Sequence, residues 1–174
     1  MTLKCTPMEI PEVILVEPRV FPDVRGHFLE VYHQEKYFSA GIRARFVQDN
    51  FSSSVKNTLR GLHYQSKRPQ AKLVSAIQGH IFDVAVDIRP HSPTFGKWVG
   101  AYLSGEDRRQ LFIPEGFAHG FCVLSDFAAV LYKCSDYYDP DDDRGVLWSD
   151  PQIAIPWPVQ RPVLSEKDAR LPLL

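Results

Sequence analysis

Lys72-Leu73-Val74-Ser75-Ala76-Ile77, then Gln78-Gly79, then Ile81-Phe82-Asp83-Val84-Ala85-Val86-Asp87-Ile88 is the stretch that decides the fold. Both runs are rich in β-branched and apolar residues, both are strand-length, and the Gln-Gly pair between them is turn chemistry. The same grammar repeats outward. Val13-Ile14-Leu15-Val16, Phe28-Leu29-Glu30-Val31-Tyr32, Trp98-Val99-Gly100-Ala101-Tyr102-Leu103, Gly120-Phe121-Cys122-Val123-Leu124 and Ala128-Ala129-Val130-Leu131-Tyr132-Lys133 all read as strands. Arg89-Pro90-His91-Ser92-Pro93, Ser104-Gly105-Glu106-Asp107 and Pro114-Glu115-Gly116 punctuate them as turns. Many short strands at close spacing predict an all-β sandwich or barrel. Two short helical segments are expected, Gln34–Ala40 stopped by Gly41 and a turn over Ser165–Ala169 with Ser165 as N-cap. Pro151, Pro156, Pro158 and Pro162 predict an extended tail wrapped over the body, because proline suits neither a helix interior nor a central strand.

Composition narrows the function classes. The chain has 174 residues, which fits a single domain over 1–174 with a core of its own. Twenty Lys+Arg balance 21 Asp+Glu, so no broad basic footprint for nucleic acid or an anionic membrane is present. No apolar run approaches the roughly 20 residues that cross a bilayer, and the first residues lack a signal-peptide core. Cys5, Cys122 and Cys134 are widely spaced, which favours reduced thiols and a cytoplasmic location over a disulfide framework.

Chemistry concentrates in Arg60-Gly61-Leu62-His63-Tyr64-Gln65, followed by Lys72. Histidine suits proton abstraction near neutral pH, arginine binds phosphate oxygens through its planar fork, and lysine stabilises a developing oxyanion. Base, phosphate clamp and oxyanion holder together suggest proton transfer on a phosphorylated or nucleotide-linked substrate. Taken alone the suggestion is weak, since a strand histidine is more often a packed or surface residue. A second histidine, His119, stands in Ile113-Pro114-Glu115-Gly116-Phe117-Ala118-His119-Gly120, where a turn feeds the next strand.

In order along the chain, Phe21-Pro22-Asp23-Val24-Arg25-Gly26-His27-Phe28, Val47-Gln48-Asp49-Asn50, the Arg60–Gln65 hexapeptide, Phe82–Asp87, Pro114–Phe121 and Leu164-Ser165-Glu166-Lys167-Asp168 resemble the dTDP-4-dehydrorhamnose 3,5-epimerases, a branch of the cupin superfamily. The likeness spans about residues 10 to 170. It implies a double-stranded β-helix (jelly roll), a homodimer, and no metal or other cofactor. The implied reaction inverts C3 and C5 of dTDP-4-dehydro-6-deoxy-D-glucose to give dTDP-4-dehydro-6-deoxy-L-mannose, on the way to dTDP-L-rhamnose.

By the same resemblance His63 is the base, Asp168 its orienting carboxylate, Lys72 the partner of the enolate oxygen and Tyr132 the proton donor on the opposite face. Arg25 and Arg60 match diphosphate contacts and Phe21 a stacking partner of the thymine ring. Glu30, Gln48 and Asn50 match nucleotide or sugar contacts, His119 a substrate contact, Tyr138 the sugar pocket and Lys167 a further binding position. Without that context Tyr132 reads as a half-buried core aromatic and Asp168 as a solvated residue of a terminal turn. One departure is Asp143, in an acidic run where many members carry glutamate.

Three rivals remain at this level. A metal-dependent cupin enzyme is disfavoured because Gln65 breaks the His-x-His pair such sites use. An epimerase acting at C3 or C5 alone would share every acid, base and oxyanion residue. A noncatalytic sugar-nucleotide-binding module would not need His63, Lys72, Tyr132 and Asp168 together.

Overall fold

The computed structural model describes residues 3–174. In chain order the strands are β1 (Lys4–Pro7), β2 (Ile14–Glu17), β3 (Val20–Asp23), β4 (Gly26–Leu29), β5 (Gln48–Val55), β6 (Leu59–Gln65) and β7 (Lys72–Gln78). They continue as β8 (His80–Asp87), β9 (Trp98–Ser104), β10 (Gln110–Ile113), β11 (Phe117–Val123), β12 (Phe127–Cys134) and β13 (Asp143–Gly145). Among the described residues one helix, α1 (Gln34–Ser39), and two 3-10 turns, Pro140–Asp142 and Asp168–Arg170, complete the regular structure.

The strands form a six-stranded sheet in the order β1-β2-β10-β7-β12-β5 and a five-stranded sheet in the order β13-β6-β11-β8-β9, all neighbours antiparallel. The strand β3 pairs only with β4, as a separate hairpin. This is the jelly roll expected from the sequence. The deciding stretch does not fold as a hairpin: β7 and β8 belong to opposite sheets, and the chain turns the corner at Gly79. Gly79 has φ +75°, and a Cβ there would lie 2.1 Å from the Phe127 carbonyl oxygen, so the corner requires glycine.

The core lies between the sheets. Val74, Ala76, Leu111 and Val130 from the six-stranded sheet pack against Ile81, Ala85, Val99 and Phe121 from the five-stranded one. Burying each of the Val, Leu, Ile and Phe side chains here contributes about 1.5–3 kcal/mol relative to exposure. A second cluster, including Leu62, Phe82, Val84 and Val86, lies on the far side of the five-stranded sheet. Strand β8 is therefore covered on both faces, which explains its nearly continuous apolar sequence.

Some expectations shift. The apolar run through Tyr32 ends as a strand at Leu29; Tyr32 instead packs on Tyr37 and Phe46, with ring centroids 4.9 and 5.3 Å away. The strand expected from Gly120 starts at Phe117, which puts His119 inside β11 rather than in the preceding turn. Ser165 does cap the last turn, its Oγ accepting from the Asp168 N–H at 3.0 Å. The proline-rich tail wraps as expected. Leu171 packs against Gly145, the Leu147 N–H donates to the Pro172 carbonyl at 2.7 Å, and Val163 bridges to Thr58 beside β6.

Candidate active site

A cleft of about 480 Å³ opens between the two sheets. One wall is the five-stranded sheet, with Arg60, His63, Tyr64 and Gln65 on β6 and His119 and Phe121 on β11. The facing wall is the six-stranded sheet, with Gln48, Asn50, Phe51 and Ser52 on β5, Lys72 on β7 and Tyr132 on β12. Tyr138, Asp143, Lys167 and Asp168 complete the rim from the loops and tail.

Local irregularity builds the β6 wall. Between the β6–β11 pairs His63↔His119 and Arg60↔Phe121, β6 advances three residues while β11 advances two. The extra residue is a bulge, and bulges re-aim side chains. In a regular strand Arg60 and His63 would face opposite sides; here both line the cleft. Gly61 permits the bulge, with φ +119° and room for no side chain, because its Cβ would fall 2.5 Å from the Gly120 Cα. Arg60 is steadied by a 3.1 Å hydrogen bond from its Nε to the Ser54 hydroxyl.

His63 Nε2 lies 2.7 Å from Asp168 Oδ1. The second carboxylate oxygen accepts from the Gly61 N–H at 3.4 Å. A carboxylate at Nε2 holds the neutral ring's proton there and leaves the lone pair on Nδ1. Burial pushes the Asp168 carboxyl up, but its interactions with His63, Gly61 and Ser165 together hold the group below its ordinary value. Asp168 therefore stays ionised beside the imidazole.

Lys72 is buried in the β7 wall of the cleft. Burial depresses its pKa, and the nearby Cys134, Asp83 and Asp143 offset only part of that effect. A desolvated ammonium interacts strongly with a developing negative charge, since little water screens it. Tyr132, on the opposite wall from His63, has its pKa raised chiefly by burial. It stays a protonated phenol at neutral pH and can donate. His119 is buried, with Nε2 2.7 Å from Asp83 Oδ1; burial lowers its pKa despite the carboxylate.

Of the residues expected from the sequence, His63, Lys72, Tyr132, Asp168, Gln48, Asn50, Arg60, His119, Tyr138 and Lys167 all line this one cleft. Phe21, Arg25 and Glu30 do not line it. They sit on or beside the β3–β4 hairpin, where Phe21 is exposed under the Arg19 guanidinium, Arg25 pairs with Asp23 at 2.6 Å and Glu30 pairs with Lys36 at 2.8 Å. Asp83 was missed by sequence reasoning. Its signal was a carboxylate between Ile81 and Ala85, at the same alternating positions of β8 that face the inter-sheet core. Gln65 is committed to structure: its amide nitrogen donates to the Arg68 and Tyr137 carbonyls, and its oxygen accepts from the Asp139 N–H. Among the described residues no group of three or more His, Cys, Asp or Glu is arranged to hold a metal ion. Nor is any helix among them long and apolar enough to cross a membrane.

The family model for dTDP-4-dehydrorhamnose 3,5-epimerase matches residues 7–174. A relative from Shigella flexneri named dTDP-4-dehydrorhamnose 3,5-epimerase is 58% identical over 162 residues, covering 92% of this chain and 90% of the relative. Among solved structures, a dTDP-6-deoxy-D-glucose-3,5-epimerase from Legionella pneumophila in complex with dTDP-4-keto-L-rhamnose superposes with a TM-score of 0.96. Its identity is 52%, and the match covers 98% of this chain and 92% of that one. A dTDP-4-dehydrorhamnose 3,5-epimerase from Bacillus anthracis with TDP and pyrophosphate bound gives a TM-score of 0.96 at 48% identity, covering 99% and 100%.

Proposed function

This chain belongs to the dTDP-4-dehydrorhamnose 3,5-epimerase family, and on that premise we propose how its cleft inverts C3 and C5 of dTDP-4-dehydro-6-deoxy-D-glucose. The product is dTDP-4-dehydro-6-deoxy-L-mannose. Both carbons flank the C4 ketone, so loss of either proton gives an enolate with its charge on the C4 oxygen. Inversion then requires reprotonation from the opposite face. The observation that carries the reading is that His63 and Tyr132 stand on opposing sheets of one cleft, with Lys72 on the strand beside Tyr132.

His63, oriented by Asp168, takes the proton from one face. The Lys72 ammonium stabilises the enolate oxygen, and the Tyr132 phenol delivers a proton to the other face. Arg60 binds the diphosphate, and Gln48, Asn50, His119, Tyr138 and Lys167 contact the nucleotide or sugar. No cofactor is needed for this chemistry, because the ketone itself acidifies both C–H bonds. Residues 1–174 act as one cupin-type domain, in the cytoplasm.

We also propose a homodimer. The β3–β4 hairpin exposes Phe21, Val24 and Phe28, an apolar surface suited to a partner. It holds Phe21 and Arg25, with Glu30 just beyond it, outside the cleft of its own chain; a second protomer is the natural recipient of these side chains.

The test is incubation with dTDP-4-dehydro-6-deoxy-D-glucose in deuterated water. Deuterium at both C3 and C5 of the product supports the double epimerase. Label at one carbon would restrict the enzyme to a single position, and no label at either would refute the catalytic reading.

A further inference from the structure

Asp143 lies at the start of β13, where it pairs with Gln65 beside the catalytic strand. Its carboxylate accepts a 2.8 Å hydrogen bond from the Tyr138 hydroxyl and an ion-paired hydrogen bond from Lys167 Nζ. All three residues line the cleft, yet they come from three segments: the loop after β12, β13 itself and the C-terminal tail. The Asp143 side chain is only 18% exposed, whereas that of Lys167 is 47% exposed. The carboxylate is thus the sheltered centre of the cluster and its partners are the solvent-facing arms.

The backbone of the Tyr138 segment is already secured. The Tyr138 N–H donates to the Gln48 side chain at 2.9 Å, and the Asp139 N–H to the Gln65 side chain at 2.8 Å. Among the described residues only Asp143 hydrogen-bonds the ends of these two side chains. An exposed lysine and an exposed tyrosine ring are otherwise free to rotate, and ordering them on binding weakens affinity. The other two Lys/Arg side chains lining the cleft are placed by different means: Arg60 by Ser54 and Lys72 by burial.

We propose that Asp143 is a positioning residue of the binding mouth, whose carboxylate preassembles the Tyr138 ring and the Lys167 ammonium into one rim for the nucleoside diphosphate of the substrate. The inference rests on the sugar-nucleotide reading above. In this role the aspartate acts through Tyr138 and Lys167, which gives the shorter carboxylate at this position a role of its own. Burial works against ionisation of Asp143, but Lys167 and Tyr138 together hold its carboxyl below its ordinary value, so the clamp is charged at neutral pH.

The experiment measures dTDP affinity by calorimetry, together with turnover, for wild type and Asp143→Ala, with Asp143→Asn as the isosteric variant if the alanine protein does not fold. Expected are about tenfold weaker dTDP binding, equivalent to about 1.4 kcal/mol, and a loss in kcat/KM that falls mainly on KM. Asp143→Glu should restore most of the affinity. In a Tyr138→Phe/Lys167→Met background, removing Asp143 should change dTDP binding by less than about twofold, because the hydroxyl and ammonium through which it holds the two side chains are gone. Equal losses in both backgrounds would mean a general structural role and overturn the proposal. So would unchanged or tighter dTDP binding by Asp143→Ala, the latter meaning that the carboxylate mainly repels the diphosphate. Wild-type protein that fails to bind dTDP would refute the sugar-nucleotide reading itself; wild-type binding with an unaffected variant refutes only this inference.

Discussion

Two histidine–aspartate pairs stand side by side in this fold and invite comparison. His63 and His119 face each other across β6 and β11, and each has Nε2 2.7 Å from a carboxylate oxygen. Their surroundings differ. The His63 side chain is 33% exposed over a 5% exposed Asp168, whereas His119 and Asp83 are 7% and 0% exposed. Hydrogen-bond geometry therefore does not separate a proton-exchanging base from a held group; access does. His63 can reach substrate while its carboxylate stays sheltered. Burial keeps the His119 ring neutral, and the pair is a fixed part of the five-stranded wall. The inner pair also serves its neighbour: Asp83 is one of the charges that offset the burial of Lys72.

The comparison breaks most visibly at His63. His63→Ala should lower turnover and deuterium exchange at both carbons by about 10³-fold, within the range of about 10²–10⁴-fold for a positioned base. Retained exchange would move the base role elsewhere, with His119 the first candidate. Asp168→Asn should cost about 10²-fold in kcat through loss of the tautomer-fixing charge, while dTDP affinity stays near the wild-type value. An equal loss of affinity would make Asp168 a structural anchor instead.

The inner pair should behave in the opposite sense. Asp83→Asn is expected to cost stability first, about 1–3 kcal/mol for disrupting a buried hydrogen bond, read as a lower denaturation midpoint. Its activity loss should be smaller than that of Asp168→Asn. With one counter-charge gone, the pKa of Lys72 falls further, so the alkaline limit of kcat/KM should move to lower pH. An unmoved alkaline limb would separate Lys72 from the rate.

The smallest effect is the acid dependence of stability. The folded-state pKa of Asp168 lies below its unfolded value. Its stabilising contribution is therefore present above the unfolded pKa, near 4, and is lost as pH falls through the folded value. Denaturation of wild type and Asp168→Asn should differ at neutral pH and converge on strong acidification. A constant gap would assign the difference to packing rather than to charge.

Much of the fold was legible because strands announce themselves through β-branched and aromatic residues. The exceptions have physical causes. Strand β5, Gln-Asp-Asn-Phe-Ser-Ser-Ser-Val, is an edge strand whose polar side chains face the cleft or solvent, so hydrophobicity could not mark it. Tyr32 looked like strand and proved to be a packing aromatic beside α1. In the site, His63 and Lys72 could be proposed from local chemistry, but Tyr132 and Asp168 only through family likeness. Asp168 is 105 residues from His63 in the chain, and a carboxylate in a terminal turn carries no local sign of its distant partner.

The sequence by itself determined the alternation and turns of an all-β chain, the family, and the residue types needed for enolate chemistry. These are local properties, or ordered motifs, written directly in side-chain identity. The tertiary structure alone decided that β7 and β8 belong to opposite sheets and that a bulge brings Arg60 and His63 to one wall. It also set one His–Asp pair open and the other buried, and left Phe21, Arg25 and Glu30 outside the cleft. Those outcomes depend on which strands become neighbours and how much water each side chain keeps, and exclusion of water is a property of the assembled fold rather than of any segment.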